Sequence, residues 1–341
     1  MTEPSRKRPR PTDPAAPEGC PHTRLPSGAT KKDDEFWFDD GNLIIVAQDV
    51  EFCVYKGPLV KHSPVFRDML TLPQPAEAGE LGHRPVVSVP EHPTSFRHFL
   101  REFMAGSGFQ LPGDEPVFEV VCAVIRLGHK YEVDRIVEKG LGYLKKQWLD
   151  NYSGWSFQAN LAYARYWANP HIAERCISVV NIARLTDTPS LLRPALFECC
   201  TIDPQDLLKG HQREDGVCER LTAEDVTRVL LARTELVKLD ALTALRIFRN
   251  TSGECYDYHN CTHAFQDAIS ELTESPSPSR MFSADPKRPS WFDCASKTDG
   301  PSFCDACLME IRRKENEERS EMWNMLPSIL DIPEPPRPEF W

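Results

Sequence analysis

The groups in this sequence best suited to binding chemistry are the cysteines toward its C-terminal end. Cys304 and Cys307 are separated by two residues, a spacing that lets both thiolates bind one tetrahedral zinc ion at about 2.3 Å. Cys255 and Cys261 could supply the other two ligands, with His263 as a substitute for one of them. A second pair with the same spacing is missing, and the spacings on the first side fit no named zinc finger. One structural zinc and a set of reduced cysteines without metal are therefore the two alternatives.

A structural metal would be useful in this part of the chain. The segment that joins the two cysteine pairs is rich in serine and proline and has Trp291-Phe292 as its main apolar residues. Small units with little core of their own gain most from a structural metal. We expect such a zinc ion to clamp the C-terminal element to the helices that precede it.

The other reactive residues do not form catalytic patterns. With 12 cysteines and 10 histidines, Cys/His pairs arise by chance, and no cysteine lies in a recognisable nucleophile setting. Gly106-Ser107-Gly108 lacks the strand-to-helix context of a phosphate-binding loop, and the sequence contains no His-Glu-x-x-His. We therefore expect a protein that is not an enzyme.

Charge is distributed unevenly along the chain. The net charge of the 341 residues is −11, yet residues 1–32 hold seven Lys/Arg against three acidic residues. The rest of the chain is acidic and would repel a phosphate backbone. We therefore do not expect nucleic acid to be the main partner. The stretch Arg6-Lys7-Arg8-Pro9-Arg10 is either a nuclear import signal or a solubilising run of charge.

Membrane insertion and secretion are not expected. No stretch approaches the ~20 uninterrupted apolar residues of a membrane helix, and the first 30 residues lack the apolar core of a signal peptide. We expect an intracellular protein of the nucleus, the cytoplasm or both, where cysteines are normally reduced.

Composition and periodicity divide the chain into five parts. The ends are proline-rich tails, of which the first is basic and expected to be disordered, with order beginning near Phe36. Between them lie a mixed strand-and-helix domain, a helical region and a cysteine-bearing element. The boundaries are 1–33, 34–150, 151–252, 253–330 and 331–341.

Residues 34–150 predict a small sheet combined with helices. Leu43–Val46 and Val50–Val54 have the patterns of two strands and predict a hairpin. Ser63-Pro64 has the residue types of a helix cap and first helical position, within a pair of short helices. Val86–Val89 predicts a further strand, and helical patterns then continue to Trp148. The fold class is α+β.

The region that follows predicts helices and no convincing strand. The strongest helical pattern covers Ala223–Phe248, with Thr222 and Asp225 spaced as a capping box. Its apolar stripe consists of Val226, Val229, Leu230, Val237, Leu242 and Leu245. Other predicted helices are Ala159–Trp167, Ile172–Leu185, Ser190–Cys200 and, near the C-terminal end, Met309–Met325.

Two separated motifs in residues 36–148 resemble those of the BTB/POZ domain. The first comprises Asp40, Phe52-Cys53-Val54-Tyr55-Lys56, Leu59 and Ser63-Pro64-Val65-Phe66, in the family's order and at similar spacing. The second is Leu127-Gly128-His129-Lys130-Tyr131-Glu132-Val133, which is similar to the family's helix junction. The whole chain resembles BTB proteins of the mushroom-lineage fungi.

The resemblance implies an interaction module that forms homodimers. In the family, the acidic residue before the first strand and a basic residue form a charged pocket near the dimer interface. The matching residues here are Asp40 and Lys56, while Tyr55 replaces the usual histidine. Members that bind cullin scaffolds carry a hydrophobic-x-Glu motif, for which this chain offers only Ala78-Gly79-Glu80.

The expected function is therefore that of an adaptor that homodimerises through residues 34–150 and recruits an unknown protein partner. Two alternatives remain. One is a nuclear, transcription-type regulator in which the basic tail adds salt-dependent affinity for nucleic acid. The other is a substrate adaptor for a cullin-type ubiquitin ligase.

Overall fold

The computed structural model describes residues 30–71, 84–105, 117–153, 175–274, 291–296 and 303–333. It combines α and β structure, with one small sheet and a majority of helices, as the sequence predicted for its fold class. The chain divides into two compact units, residues 1–56 with 75–93 and residues 57–74 with 94–341. None of the described helices is both long and apolar enough to cross a membrane.

The first unit contains a four-stranded sheet. Its strands are β1 (Lys31–Trp37), β2 (Leu43–Ala47), β3 (Val50–Val54) and β4 (Val86–Val89), and their order in the sheet is β1-β3-β2-β4. Strands β2 and β3 form the predicted antiparallel hairpin, β1 runs parallel to β3, and β4 runs parallel to β2. All five residues of β2 are buried, and the strand has a hydrogen-bonded neighbour on each side.

Strand β1 was not expected from the sequence. It begins at Lys31, five residues before the predicted onset of order near Phe36, and takes the last three residues of the predicted tail. Its Lys-Lys-Asp-Asp-Glu run hides the strand pattern. The Asp33 carboxylate is buried and accepts hydrogen bonds from the backbone N–H groups of Glu35 (3.0 Å) and Phe36 (2.8 Å), where the register shifts between Lys32 and Trp37.

The second unit begins with five helices. They are α1 (Lys56–His62), α2 (Pro64–Thr71), α3 (Pro93–Ala105), α4 (Phe118–Lys130) and α5 (Asp134–Gln147), and the first residues of α1 and α3 belong to the first unit. Ser63 caps α2 as predicted, because its hydroxyl oxygen accepts a 3.1 Å hydrogen bond from the backbone N–H of Phe66. Helices α4 and α5 cross closely at Gly140, where a β-carbon would lie 2.4 Å from Ile125.

The rest of the second unit is also mainly helical. Its elements are α6 (Arg175–Leu185), α7 (Pro189–Cys199), α8 (Pro204–Lys209), β5 (His211–Gln212), β6 (Cys218–Glu219), α9 (Ala223–Ile247), α10 (Tyr258–Glu274), α11 (Trp291–Ser296) and α12 (Asp305–Ile329). The expectation of no strand here was wrong for β5 and β6, which pair antiparallel. Strands of two residues are too short to show alternation, and Gly216, with φ of 79°, makes the turn between them.

Helix α9 has the predicted extent, and Thr222 caps it by accepting a hydrogen bond from the N–H of Asp225 at 3.1 Å. The predicted apolar stripe was wrong for three leucines. Leu230, Leu242 and Leu245 are 38%, 45% and 59% exposed. Val229 is buried as predicted, and Ala232, Leu236, Ala244 and Ile247 complete the buried face with it.

Two hydrophobic clusters share the helices of the second unit. One combines residues of α4, α6, α7 and α9 with Trp323, Leu326 and Leu330 at the end of α12. The other surrounds the cysteines and includes Ile247 from α9 and Ile311 from α12. The first cluster joins α4 to α6 and α7 across the sequence-based boundary at 150, and the second joins α9 to α10 and α12 across the boundary at 252.

Candidate metal centre

Four cysteines meet at one point in the second unit. The sulfur atoms of Cys255, Cys261, Cys304 and Cys307 all lie within 4.8 Å of one another. Cys255 is partly exposed and the other three are buried. Over the described ranges this is the one group of three or more His, Cys, Asp or Glu side chains close enough to share a metal ion. The structure thus brings together the four cysteines that the sequence singled out.

Three structural elements position these thiols. Cys255 lies in a turn before α10, where its backbone N–H donates to the carbonyl of Ser252 at 3.1 Å. Cys261 lies in the first turns of α10, and Cys304 is the N-terminal cap of α12 with Cys307 one turn into that helix. The positive end of the α12 dipole therefore points at the cluster, which favours thiolates over thiols.

Backbone N–H groups are directed at two of the sulfur atoms. The N–H of Cys304 donates to Cys261 Sγ at 3.2 Å, and the N–H of Ser252 donates to Cys307 Sγ at 3.4 Å. Such bonds stabilise negative charge on sulfur. They are second-sphere interactions of the type that orient the ligands of a metal ion.

The spacing of the sulfur atoms fits one tetrahedral ion. Four sulfurs at about 2.3 Å from a central zinc lie about 3.8 Å from one another in an ideal tetrahedron. The Cys304 and Cys255 sulfurs are 3.8 Å apart, and none of the pairs exceeds 4.8 Å. Four thiolates are soft ligands, which exclude Mg²⁺ and Ca²⁺ and are typical of zinc or iron–sulfur sites.

The thiols of the cluster ionise unequally. Burial raises the pKa of Cys261 to about 11 and raises the pKa of Cys307 above its usual range. Burial also opposes ionisation of Cys304, but hydrogen bonds from the backbone N–H groups of Cys307 and Tyr256 outweigh it and lower the pKa of Cys304 to about 7. A bound metal ion would therefore have to displace protons from Cys261 and Cys307.

Apolar side chains surround the cluster. Phe265 packs edge-on against Phe303 with ring centroids 4.7 Å apart, and Trp291 packs against Phe248 at 5.9 Å. All four rings are at least 93% buried. This shell limits access of water to the sulfur atoms and lies in the same hydrophobic cluster as the buried cysteines.

A buried carboxylate that the sequence did not single out fixes Trp291. Glu315, on α12, accepts hydrogen bonds from the backbone N–H groups of Trp291 at 2.9 Å and Phe292 at 3.0 Å, and pairs with Arg319 at 2.9 Å. It satisfies the free N–H groups at the start of α11. Glu315 lies in a run of charged residues typical of a solvated helix face, so no sequence signal marked it.

The expectation that His263 could replace a cysteine was wrong. His263 is exposed and does not belong to the four-cysteine cluster. Because both residues lie on helix α10, the two-residue offset rotates His263 by about 200° away from Cys261. The histidine instead packs against His259, with ring centroids 4.7 Å apart.

Most other described cysteines are buried in the hydrophobic core. Cys122, Cys176, Cys199 and Cys200 belong to the core of the second unit. Burial raises the pKa of Cys200 to about 12, which keeps its thiol protonated and unreactive. These residues behave as small apolar side chains.

The predicted charged pocket has a different set of contacts from those expected. Tyr55 donates from its hydroxyl to the Asp40 carboxylate at 2.5 Å, and this bond raises the pKa of the Tyr55 phenol. Phe38 stacks on the Tyr55 ring at 5.2 Å. Lys56 contributes its backbone N–H, which donates to Asn42 Oδ1 at 2.7 Å. Within residues 30–71, Tyr55 and not Lys56 is the partner of Asp40.

Most of the two predicted tails, residues 1–29 and 334–341, lie outside the described residues, as do three shorter predicted features. The three features are the basic run Arg6–Arg10, the loop motif Ala78-Gly79-Glu80 and the predicted helix Ala159–Trp167. Nuclear import and cullin binding therefore stay predictions. Comparisons of the chain with protein-family models, with curated proteins and with solved structures find no match.

Proposed function

We propose that this chain is a non-catalytic interaction protein of the BTB/POZ type. It would form homodimers through residues 34–150 and recruit a protein partner with the helices that follow. The order of its elements supports the proposal: a strand hairpin, two short helices, a strand, a helix and a further helix pair. This order resembles that of the BTB/POZ domain, the family whose motifs the sequence also resembles.

The observation that carries the proposal is the contact between those two motifs. Phe66, from the Ser-Pro-x-Phe motif, stacks on Tyr131 of the second motif with ring centroids 4.4 Å apart and an interplanar angle of 14°. Phe96 and Phe99 of α3 pack around the same tyrosine. The two motifs, which the sequence related only through their resemblance to one family, therefore meet in one buried aromatic cluster. This contact supports the proposal that both motifs belong to a BTB/POZ fold.

Light scattering of the full-length chain tests the self-association. At tens of micromolar, the proposal predicts a particle of twice the chain mass of 38.8 kDa. Because the resemblance implies that Asp40 and Lys56 lie near the dimer interface, the double variant Asp40→Ala/Lys56→Ala should weaken the dimer about tenfold or more. Asp206→Ala/Lys209→Ala removes an exposed acid–base pair on α8 and is the matched control. A wild-type monomer at this concentration would contradict the proposal.

We also propose that the four-cysteine cluster binds one structural zinc ion. Cys255, Cys261, Cys304 and Cys307 fill all four positions of a tetrahedral ion, which leaves none open for a substrate or a reactive water. The ion would tie the turn at Cys255 and helix α10 to the start of α12. Its role is then to stabilise the fold of the C-terminal element.

Elemental analysis of the purified full-length chain tests the metal. The proposal predicts one zinc per chain, together with a lower melting temperature after removal of the metal by a chelator. Protein without any metal, or with the same melting temperature after chelation, would contradict it. Iron in place of zinc would identify the cluster as an iron–sulfur or mononuclear iron site instead.

A further inference from the structure

Helix α10 carries two histidines side by side on its exposed face. His259 and His263 are four residues apart, which is about one helical turn. Their imidazole rings lie 4.7 Å apart between centroids and are nearly perpendicular, at 82°. Both residues are exposed, whereas Cys261 between them is fully buried.

We propose that His259 and His263 form a second metal site, a two-histidine chelate on the surface of α10. The ion that it binds is a borderline divalent cation such as Ni²⁺, Zn²⁺ or Cu²⁺, for which neutral imidazole is a preferred donor. This site is separate from the cysteine cluster, because it uses the opposite side of the helix.

The ring separation already suits chelation. An imidazole nitrogen bound at about 2.0–2.1 Å from an ion places its ring centre about 3.2 Å from that ion. Two such rings subtending about 100° at the ion have centroids about 5 Å apart. The observed separation is 4.7 Å. Rotation about the side-chain bonds is therefore enough to direct one nitrogen of each ring at a common point, without movement of the helix backbone.

The coordination sphere of this ion would be incomplete. Over the described ranges, no third His, Cys, Asp or Glu lies close enough to join the pair in one site. Water or a donor from another molecule would complete it, so the ion should exchange freely. The closed site of four thiolates has no such open positions, so we expect the histidine pair to bind its ion more weakly and reversibly. Its affinity for Cu²⁺ should exceed its affinities for Zn²⁺ and Ni²⁺.

A titration of Ni²⁺ into the zinc-loaded full-length chain, monitored by calorimetry, tests the proposal. Ni²⁺ is used because Cu²⁺ would oxidise the thiols. One Ni²⁺ should bind per chain with no release of zinc. His259→Ala and His263→Ala should each weaken Ni²⁺ binding by about tenfold or more, because either change removes the chelate. His129→Ala removes an exposed histidine on α4 and should leave the affinity unchanged.

A rearranged variant distinguishes chelation from imidazole content. Asn260→His/His263→Ala keeps two histidines on α10 but places them on adjacent residues, which do not face each other on a helix. It should bind Ni²⁺ as weakly as His263→Ala, with an unchanged zinc content and melting temperature. Wild-type affinity in this variant or in His263→Ala would overturn the proposal, as would Ni²⁺ uptake that only replaces zinc. Absence of zinc from the chain would overturn the cysteine proposal alone, since the chelate is judged by the difference in Ni²⁺ affinity between wild type and the histidine variants, which share the same cysteines.

Discussion

The side-chain hydroxyl of Ser63 donates a 2.6 Å hydrogen bond to the backbone carbonyl of Tyr131, 68 residues further along the chain. Both residues are buried. The same hydroxyl oxygen accepts the N–H of Phe66 at the start of α2. One small side chain therefore caps a helix and fixes the position of the second motif relative to the first.

Ser63→Ala should lower the free energy of unfolding by about 1–3 kcal/mol, because it removes a helix cap and a buried hydrogen bond. Urea unfolding of the full-length chain measures this loss. Thr71→Ala, which removes an exposed hydroxyl bonded to the carbonyl of Asp68, is the control and should change the value by less than about 0.5 kcal/mol. Equal effects of the two substitutions would show that the Ser63 contact does not stabilise the fold.

Two glycines of α5 should respond oppositely to alanine. A β-carbon at Gly140 would lie 2.4 Å from Ile125 Cγ1, whereas nothing lies within 4 Å of a β-carbon at Gly142. Gly140→Ala should destabilise the protein by about 1–3 kcal/mol through overpacking. Gly142→Ala should stabilise it by up to about 1 kcal/mol, since alanine has the higher helix propensity. Urea unfolding measures both, and a stabilising Gly140→Ala would contradict the helix crossing described above.

Removal of the ion pair between Arg193 and Asp150 should lower the free energy of unfolding by an amount that depends on pH. Arg193 Nε lies 2.7 Å from the Asp150 carboxylate, and burial raises the pKa of Asp150 despite the arginine. Arg193→Met leaves the carboxylate without this charge, which raises its pKa further. At pH 7 the folded variant must hold an ionised Asp150 without its partner. We therefore expect its free energy of unfolding to be about 1–3 kcal/mol lower than that of wild type.

The effect of Arg193→Met should become smaller as the pH falls. A carboxyl group with a raised folded-state pKa favours the folded state at low pH and disfavours it as the pH rises through that pKa. The difference in unfolding free energy from wild type should therefore be smaller at pH 4.5 than at pH 7. Asp150→Asn/Arg193→Met should remove this pH dependence. An equal difference at both pH values would contradict the role of Asp150.

Removal of one cysteine ligand should release the proposed zinc ion. Cys307→Ala should lower the zinc content after dialysis to well below one per chain and lower the melting temperature by roughly 5 °C or more, at about 2–4 °C per kcal/mol. Cys218→Ala is the matched control, since Cys218 is partly exposed in β6 and bonds to the carbonyl of Lys209. A full zinc content in Cys307→Ala would exclude this residue as a ligand.

Local patterns predicted the hairpin, most of the described helices and the caps at Ser63 and Thr222. These features depend on neighbouring residues, which the sequence shows directly. Strand β1 depends on pairing with β3 and on the buried Asp33 carboxylate, so its charged sequence concealed it. The exposed leucines of α9 were misplaced because apolar periodicity does not show which helix face finds a neighbour.

The four cysteines of the candidate metal site were found from residue type and the two-residue gap of Cys304 and Cys307. Their meeting point depends on the positions of α10 and α12, which no local pattern encodes. His263 was misassigned because proximity in sequence to Cys261 was taken for proximity in space, while the helix turns the two side chains apart. The Glu315 contact was missed because it links residues 23 and 24 positions apart.

Native mass spectrometry of the full-length chain, purified without added metal, tests the central claim most directly. A single spectrum reports both the number of chains and the number of metal ions in the particle. The account predicts a dimer that carries one zinc ion per chain. A monomer would contradict the proposed self-association, and a particle without metal would contradict the proposed zinc site.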